Sequence, residues 1–322
     1  MKPAAASTLP VELAYRLPAR AETQRWLVTG LWSEEAVGLV GGEPKCCKSF
    51  LALDLAVAVA SGTACLRHFP VPHPGRVLLY AAEDALHIVR RRLEGICAAA
   101  EVGLQDLDVH VITAPTARLD VPADRAKLEH TVEQLKPRLL ELYPFVRLHR
   151  IDENASGEVA PLLAYLRELQ RKHGLAVLVV HHAKKGAGRI RAGQELRGSS
   201  EFHAWGDSNL YLRRLGNELT LTVEHRAAPS PPPVSLELTQ QGEALALQVR
   251  VLSVPEAPIP TSLDERILDT SRSSGRPLST AEIRMQCPIR KATLYARLTQ
   301  LTAIGQIVRC TDGYRIGPNN PA

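Results

Sequence analysis

The chain is predicted to be an α/β protein built on a mainly parallel sheet with helices on both faces, an antiparallel extension and a small C-terminal winged helix-turn-helix domain. Three observations predict this. Short, nearly continuous apolar runs alternate with helical patterns from residue 36 to residue 180, the grammar of buried parallel strands. From Asp207 the pattern changes to period two, as in antiparallel strands with one wet face. Beyond Pro255, Pro258 and Pro260, a new set of helix signals opens a separate unit. The expected divisions are an arm over 1–24, the main domain over 25–252, a linker over 253–260 and the C-terminal domain over 261–317.

The first core element is the run Ala36 to Val40, which enters Gly41-Gly42-Glu43-Pro44-Lys45-Cys46-Cys47-Lys48-Ser49-Phe50 and leaves as an Ala/Leu/Val helix. A phosphate-binding loop has the form G-x-x-x-x-G-K-[ST] between a buried strand and a helix. Backbone N–H groups at the helix start and the lysine together hold a triphosphate. Gly42, Lys48 and Ser49 match the form, whereas Cys47 stands where the second glycine belongs. The nucleotide-binding candidates are therefore Gly42, Glu43, Pro44, Lys45, Cys46, Cys47, Lys48, Ser49 and Phe50, with Ser49 the direct ligand to Mg²⁺. A helix start that merely contains Lys-Ser is the plainer alternative.

Arg76 to Ala82 reads as the next strand and ends at Glu83-Asp84. Glu83 is placed to activate water for ATP hydrolysis, and an acid at a helix N-terminus is equally favoured by the helix dipole. A helix over 86–100, a short strand over 109–112, a helix over 124–136, a strand over 138–143, a helix over 159–173 and a strand over 175–180 follow. The 138–143 strand ends in Tyr143-Pro144 where an aspartate for Mg²⁺ is expected. A neutral phenol cannot replace a carboxylate for a hard dication. Asp152 and Glu153 are possible substitutes. His181 and His182 close the next strand as candidate sensors of the γ-phosphate. The loop after them carries Lys184, Lys185, Arg189 and Arg191 without an acid, a pattern suited to a nucleic-acid backbone or to plain solvation.

The segment 261–317 holds nine Lys+Arg against five acids. Ser279-Thr280-Ala281-Glu282 is a capping-box pattern, a third helix from about 290 to 303 carries Arg290, Lys291 and Arg297, and residues 306–316 pair as a wing. Those three basic residues are the candidate contacts to duplex DNA. Net charge is only +5, so DNA binding must come from local patches and not from the whole surface. No apolar run reaches the roughly 18 residues of a membrane span. The six cysteines lack metal-ligand spacing, and a reducing cytoplasm is expected.

Taken in order, Gly41 to Phe50, Ala82-Glu83-Asp84, Glu153 to Gly157, His181-His182 with Lys185-Gly186, and Arg197-Gly198-Ser199-Ser200 resemble the RecA-like ATPases of the plasmid RepA helicase type, grouped broadly with the AAA family. The resemblance runs over about 25–230 and implies a RecA-like P-loop core, ATP and Mg as cofactors, a homo-oligomeric ring (hexameric in the helicases) and single-stranded DNA in its channel. It gives Lys48 and Ser49 the phosphate and metal, Glu83 the role of base, His182 or His181 that of sensor and the 184–191 loop the DNA. A cation from the neighbouring subunit completes such sites. Arg226 is the candidate, with Arg213 or Arg214 behind it, because Asp207 occupies the place of the usual arginine. Cys47 and Tyr143 leave two readings open: an ATPase coupled to DNA, or a nucleotide-binding DNA initiator or regulator without turnover.

Overall fold

Strand β3 (Val37–Gly42), buried along its whole length, lies at the centre of a nine-stranded sheet. The computed structural model describes residues 11–17, 26–182, 201–241, 244–250, 263–287 and 291–317. The chain divides into two units, Met1–Val251 and Leu252–Ala322.

In the first unit β3 is flanked on one side by β7 (Ala176–His182), β6 (Leu139–Tyr143), β4 (Val77–Ala81) and β5 (Val109–Val111), all parallel. On the other side stand β8 (Ser208–Leu215), β9 (Glu218–His225), β10 (Val234–Gln241) and β11 (Ala244–Val249). β8 is parallel to β3 and antiparallel to β9, so it is the strand at which the sheet changes type. The period-two pattern correctly marks the later strands as antiparallel. It gives no sign that β8 docks parallel against β3, which buries Ser208 to Leu212 on both faces.

Helix α1 (Lys48–Ser61) is apolar all round and correspondingly enclosed, sharing one face of the sheet with α2 (Leu86–Ala99). The hairpin β1 (Trp26–Val28) and β2 (Trp32–Ser33) packs into the same layer, where Leu27, Val28, Leu31 and Trp32 are core. α3 (Pro122–Leu135), α4 (Ser156–His173) and α5 (Glu201–Trp205) cover the opposite face. The expected helices on both faces are thus present, with α4 beginning three residues earlier than its apolar pattern suggests. Two glycines of β3 let β8 approach: a Cβ on Gly38 would lie 1.7 Å from the Ser208 carbonyl oxygen, and one on Gly42 would lie 2.3 Å from that of Leu212.

The second unit comprises α6 (Leu263–Ser274), α7 (Thr280–Gln286), α8 (Lys291–Ala303) and the antiparallel pair β12 (Ile307–Cys310) and β13 (Gly313–Ile316). Ile267, Ile283, Leu294, Leu298 and Ile307 form its core. The capping box is realised: Glu282 N–H donates to Ser279 Oγ at 3.2 Å, and Ser279 N–H donates to Glu282 Oε2 at 2.8 Å. Among the described residues no helix is long and apolar enough to cross a membrane.

Candidate nucleotide site

The loop between β3 and α1 sits at the carboxyl end of the parallel strands, where open α/β sheets bind ligands. No side chain caps α1, so the amides of its first turn point out of the helix without an intrahelical acceptor. Cys47 at the cap position is left-handed, with φ 67° and ψ 21°, and Lys45 is also left-handed with φ 65°. Cys47 therefore adopts the backbone conformation that a glycine would take without strain. Lys48 is 6% exposed and turned into the loop, its Nζ donating to the carbonyls of Gly42 at 3.0 Å and Glu43 at 2.7 Å. Burial lowers the pKa of this ammonium, and the same burial raises that of the neighbouring Cys46 thiol. All of the predicted loop residues are assembled in one strand–loop–helix unit.

The metal side of the site differs from expectation. Tyr143, at the end of β6, points toward the α1 face, and its buried hydroxyl has no hydrogen-bond partner among the described residues. Burial pushes the phenol well above its ordinary range, so it stays neutral. Beside Ser49 stands a cation: Arg92 Nη1 is 3.4 Å from Ser49 Oγ and 2.5 Å from Asp84 Oδ2, with its guanidinium carbon 5.4 Å from the centre of the Phe50 ring. Glu83 reaches Arg147, whose Nε and Nη2 donate to the same Oε1 at 3.0 and 2.8 Å. The Arg92 guanidinium beside the serine hydroxyl, with Asp84 paired to it and a neutral phenol at the end of β6, is a poor match for a hard dication.

The paired histidines part company. His182 aligns with Gly42 and alternates with Leu178 and Val180, which face α1, so it lies on the loop side of the sheet. His181 lies on the opposite face, 1% exposed, stacked on Phe202 at 4.2 Å. There Glu153 Oε1 is 3.9 Å from His181 Nδ1 and 3.4 Å from His149 Nε2. His181 thus belongs to a buried cluster on the face away from the loop, and Glu153 is drawn into that cluster. Asp152 Oδ1 accepts from Asn154 N–H at 2.9 Å on an exposed turn.

Arg226 lies at the far end of the sheet from its own loop. Its N–H donates to the Asp207 carbonyl at 2.8 Å and its Nη1 meets Asp207 Oδ1 at 3.2 Å, while Asp207 N–H donates to the Val37 carbonyl at 2.7 Å. Those contacts fix Arg226 at the amino end of β3, opposite its own phosphate loop. Asp207 also accepts from Arg167, and this anchoring accounts for an aspartate at that position. The arginine of this region that reaches the loop is Arg214, whose Nη2 is 3.3 Å from Cys47 Sγ.

Lys184, Lys185, Arg189, Arg191 and Arg290 lie outside the described residues. In α8, Lys291 Nζ lies 5.9 Å from the Tyr295 ring centre, whereas Arg297 turns back on its own unit, 3.6 Å from Asp264. The sequence reading missed Arg92, hidden in the run Arg90-Arg91-Arg92, and Arg147, in a turn without a motif. It also passed over Glu141, an acid in the middle of an apolar strand, which is fully buried with both carboxyl oxygens unpartnered among the described residues.

A family model described as an AAA domain matches residues 3–188, more than half of the 322-residue chain. Among solved structures, one described as an ATPase domain superposes with a TM-score of 0.50 at 13% identity, over 65% of this chain and 84% of that one. A DnaB-like replicative helicase, described with its interactions with primase, superposes with a TM-score of 0.51 at 13% identity, over 66% of this chain and 57% of that one. This chain therefore spans little more than half of the DnaB-like helicase, and at such identity the likeness concerns the fold. On the family match the chain belongs to the AAA domain family, and on its superposition with those two structures it has a RecA-like P-loop fold.

Proposed function

We propose that the chain binds ATP in the Gly42–Ser49 loop and uses the bound state in work on DNA, in replication or in the maintenance of a mobile element. One observation carries the reading: Lys48 is buried inside a loop that also presents the uncapped start of α1. A desolvated ammonium whose hydrogen bonds among the described residues go to two carbonyls and a thiol, with Glu43 acting on it only through space, gains a close counter-charge from a phosphate chain. On binding, Lys48 would exchange one of its carbonyl contacts for a phosphate oxygen, while the amides of the first turn of α1 donate to the rest.

The same proposal makes Glu83 the water-activating base and His182 the sensor. Arg226, held at the far end of the sheet, would act only on a neighbouring subunit in a homo-oligomeric ring. Single-stranded DNA would meet the 184–191 loop. Duplex DNA would meet the second unit, whose three helices and hairpin follow the order of a winged helix-turn-helix. A cytoplasmic location belongs to the same reading.

The Glu83–Arg147 pair and the neutral Tyr143 favour a second reading, in which nucleotide is a structural ligand and the chain is a DNA-binding initiator or regulator. ATP turnover in the presence of Mg²⁺ and single-stranded DNA, measured beside Glu83→Gln, separates the two. Turnover that the variant abolishes supports the enzyme, and equal near-zero rates leave the ligand-binding protein.

A further inference from the structure

We propose that this chain holds nucleoside triphosphate without a divalent metal, the Arg92 guanidinium against Ser49 supplying the positive charge there. The inference rests on the reading of Gly42–Ser49 as a phosphate cradle. It departs from that reading's usual companion, a metal on the serine hydroxyl.

Four observations converge. The strand-end position that should offer a carboxylate offers Tyr143, buried, neutral and facing α1. Arg92 occupies the space beside the serine, its Nη1 3.4 Å from Ser49 Oγ. That placement is fixed from two sides, by Asp84 Oδ2 at 2.5 Å and by the Phe50 ring, whose centre is 5.4 Å from the guanidinium carbon. The two acids that follow β4 are committed, Asp84 to Arg92 and Glu83 to Arg147.

Charge decides between a metal and a guanidinium here. A dication on Ser49 would sit against an arginine, with Asp84 and Glu83 already paired to guanidinium groups and Glu141 held neutral by its burial in β6. A triphosphate, by contrast, is drawn to Lys48 inside the loop, Arg92 at the serine and Arg214 at Cys47, three cations of the protein itself. Guanidinium matches phosphate oxygens with paired N–H donors, so it takes over both the charge and the orienting role. Asp84 then acts as a positioning residue that aims Arg92.

The test is calorimetric titration of the full chain with ATP, once in excess EDTA and once in millimolar Mg²⁺. The proposal predicts dissociation constants within about threefold of each other in the two buffers. It also predicts that Arg92→Ala weakens binding in EDTA by at least about tenfold, with partial rescue in Arg92→Lys. In Arg92→Ala combined with Tyr143→Asp, affinity should become dependent on Mg²⁺. Binding by the unaltered chain that is about tenfold or more tighter with Mg²⁺ than in EDTA overturns the proposal and leaves the phosphate cradle standing. The absence of binding in both buffers overturns the cradle and the proposal together. The comparison on the unaltered chain decides the matter even if Arg92→Ala fails to fold.

Discussion

Glu83 and Arg147 meet across the carboxyl ends of β4 and β6, two guanidinium nitrogens of Arg147 converging on one oxygen of Glu83 at 3.0 and 2.8 Å. Both side chains are about half exposed, at 49% and 58%, so the pair contributes little to stability, about 0–1 kcal/mol. Its consequence is chemical: the carboxylate expected to activate water is engaged elsewhere. On the non-hydrolysing reading, Arg147→Ala alone should leave turnover near zero, because Tyr143 offers the metal no carboxylate. Arg147→Ala with Tyr143→Asp should raise Mg²⁺-dependent ATP turnover by about tenfold or more, and adding Glu83→Gln should cancel the gain. A steady-state phosphate-release assay on these variants reads each outcome.

Cys47 tests the loop's backbone. A side chain held left-handed costs roughly 1–2 kcal/mol, and the greater freedom of an unfolded glycine returns about 0.5–1 kcal/mol of that. Cys47→Gly should therefore stabilise the chain by about 0.5–1 kcal/mol in urea unfolding, whereas Cys47→Val should destabilise it. An unchanged midpoint for the glycine variant would mean that the strain is relieved elsewhere.

Glu141 makes a prediction with a definite pH sign. Its carboxyl is fully buried in β6 without a partner among the described residues, and desolvation alone drives its pKa well above the usual carboxylate range. A group with a raised folded pKa carries no pH-linked cost while both states are protonated, leaving only the pH-independent cost of an unsatisfied buried carboxyl. The pH-linked cost appears as pH rises past the unfolded value near 4.3 and the unfolded chain ionises while the folded chain does not. Glu141→Leu should accordingly add about 1–3 kcal/mol of stability at pH 4 and more than that at pH 8, measured by chemical denaturation at the two pH values.

In the second unit, Lys291 stands at the start of α8 over the Tyr295 ring, and both are exposed. Lys291→Ala should weaken duplex binding uniformly across sequences and reduce the salt slope of log K by about 1. Arg297→Ala should matter less, since that guanidinium is turned toward Asp264. Fluorescence anisotropy across a salt series measures both.

The parallel core was legible because strands buried on both faces must be apolar throughout, as Val37 to Gly42 and Ala176 to Val180 are. Side-chain directions were harder. Neighbouring residues on a strand face opposite sides, so His181 and His182 could not both serve the loop, although adjacency in sequence suggested a shared role. Arg226 stands far from its own loop for a topological reason. β8 runs parallel to β3 and β9 returns antiparallel, so the end of β9 comes back to the amino end of β3, and nothing local in the sequence announces β8's direction. Arg92 and Arg147 lack a motif because their meaning lies in Ser49, Asp84 and Glu83, which only the fold brings near them.

The measurement that bears most directly on the central claim is equilibrium binding of ATP to the purified chain beside Lys48→Ala. Removing a charged hydrogen-bond donor to phosphate costs about 1.5–3 kcal/mol, roughly 10- to 150-fold in affinity. Saturable binding to the parent chain, weakened by that factor in a variant with unaltered circular dichroism, is the predicted result. Equal affinity in the two proteins, or no binding to either, would contradict the assignment of Gly42–Ser49 as the nucleotide site.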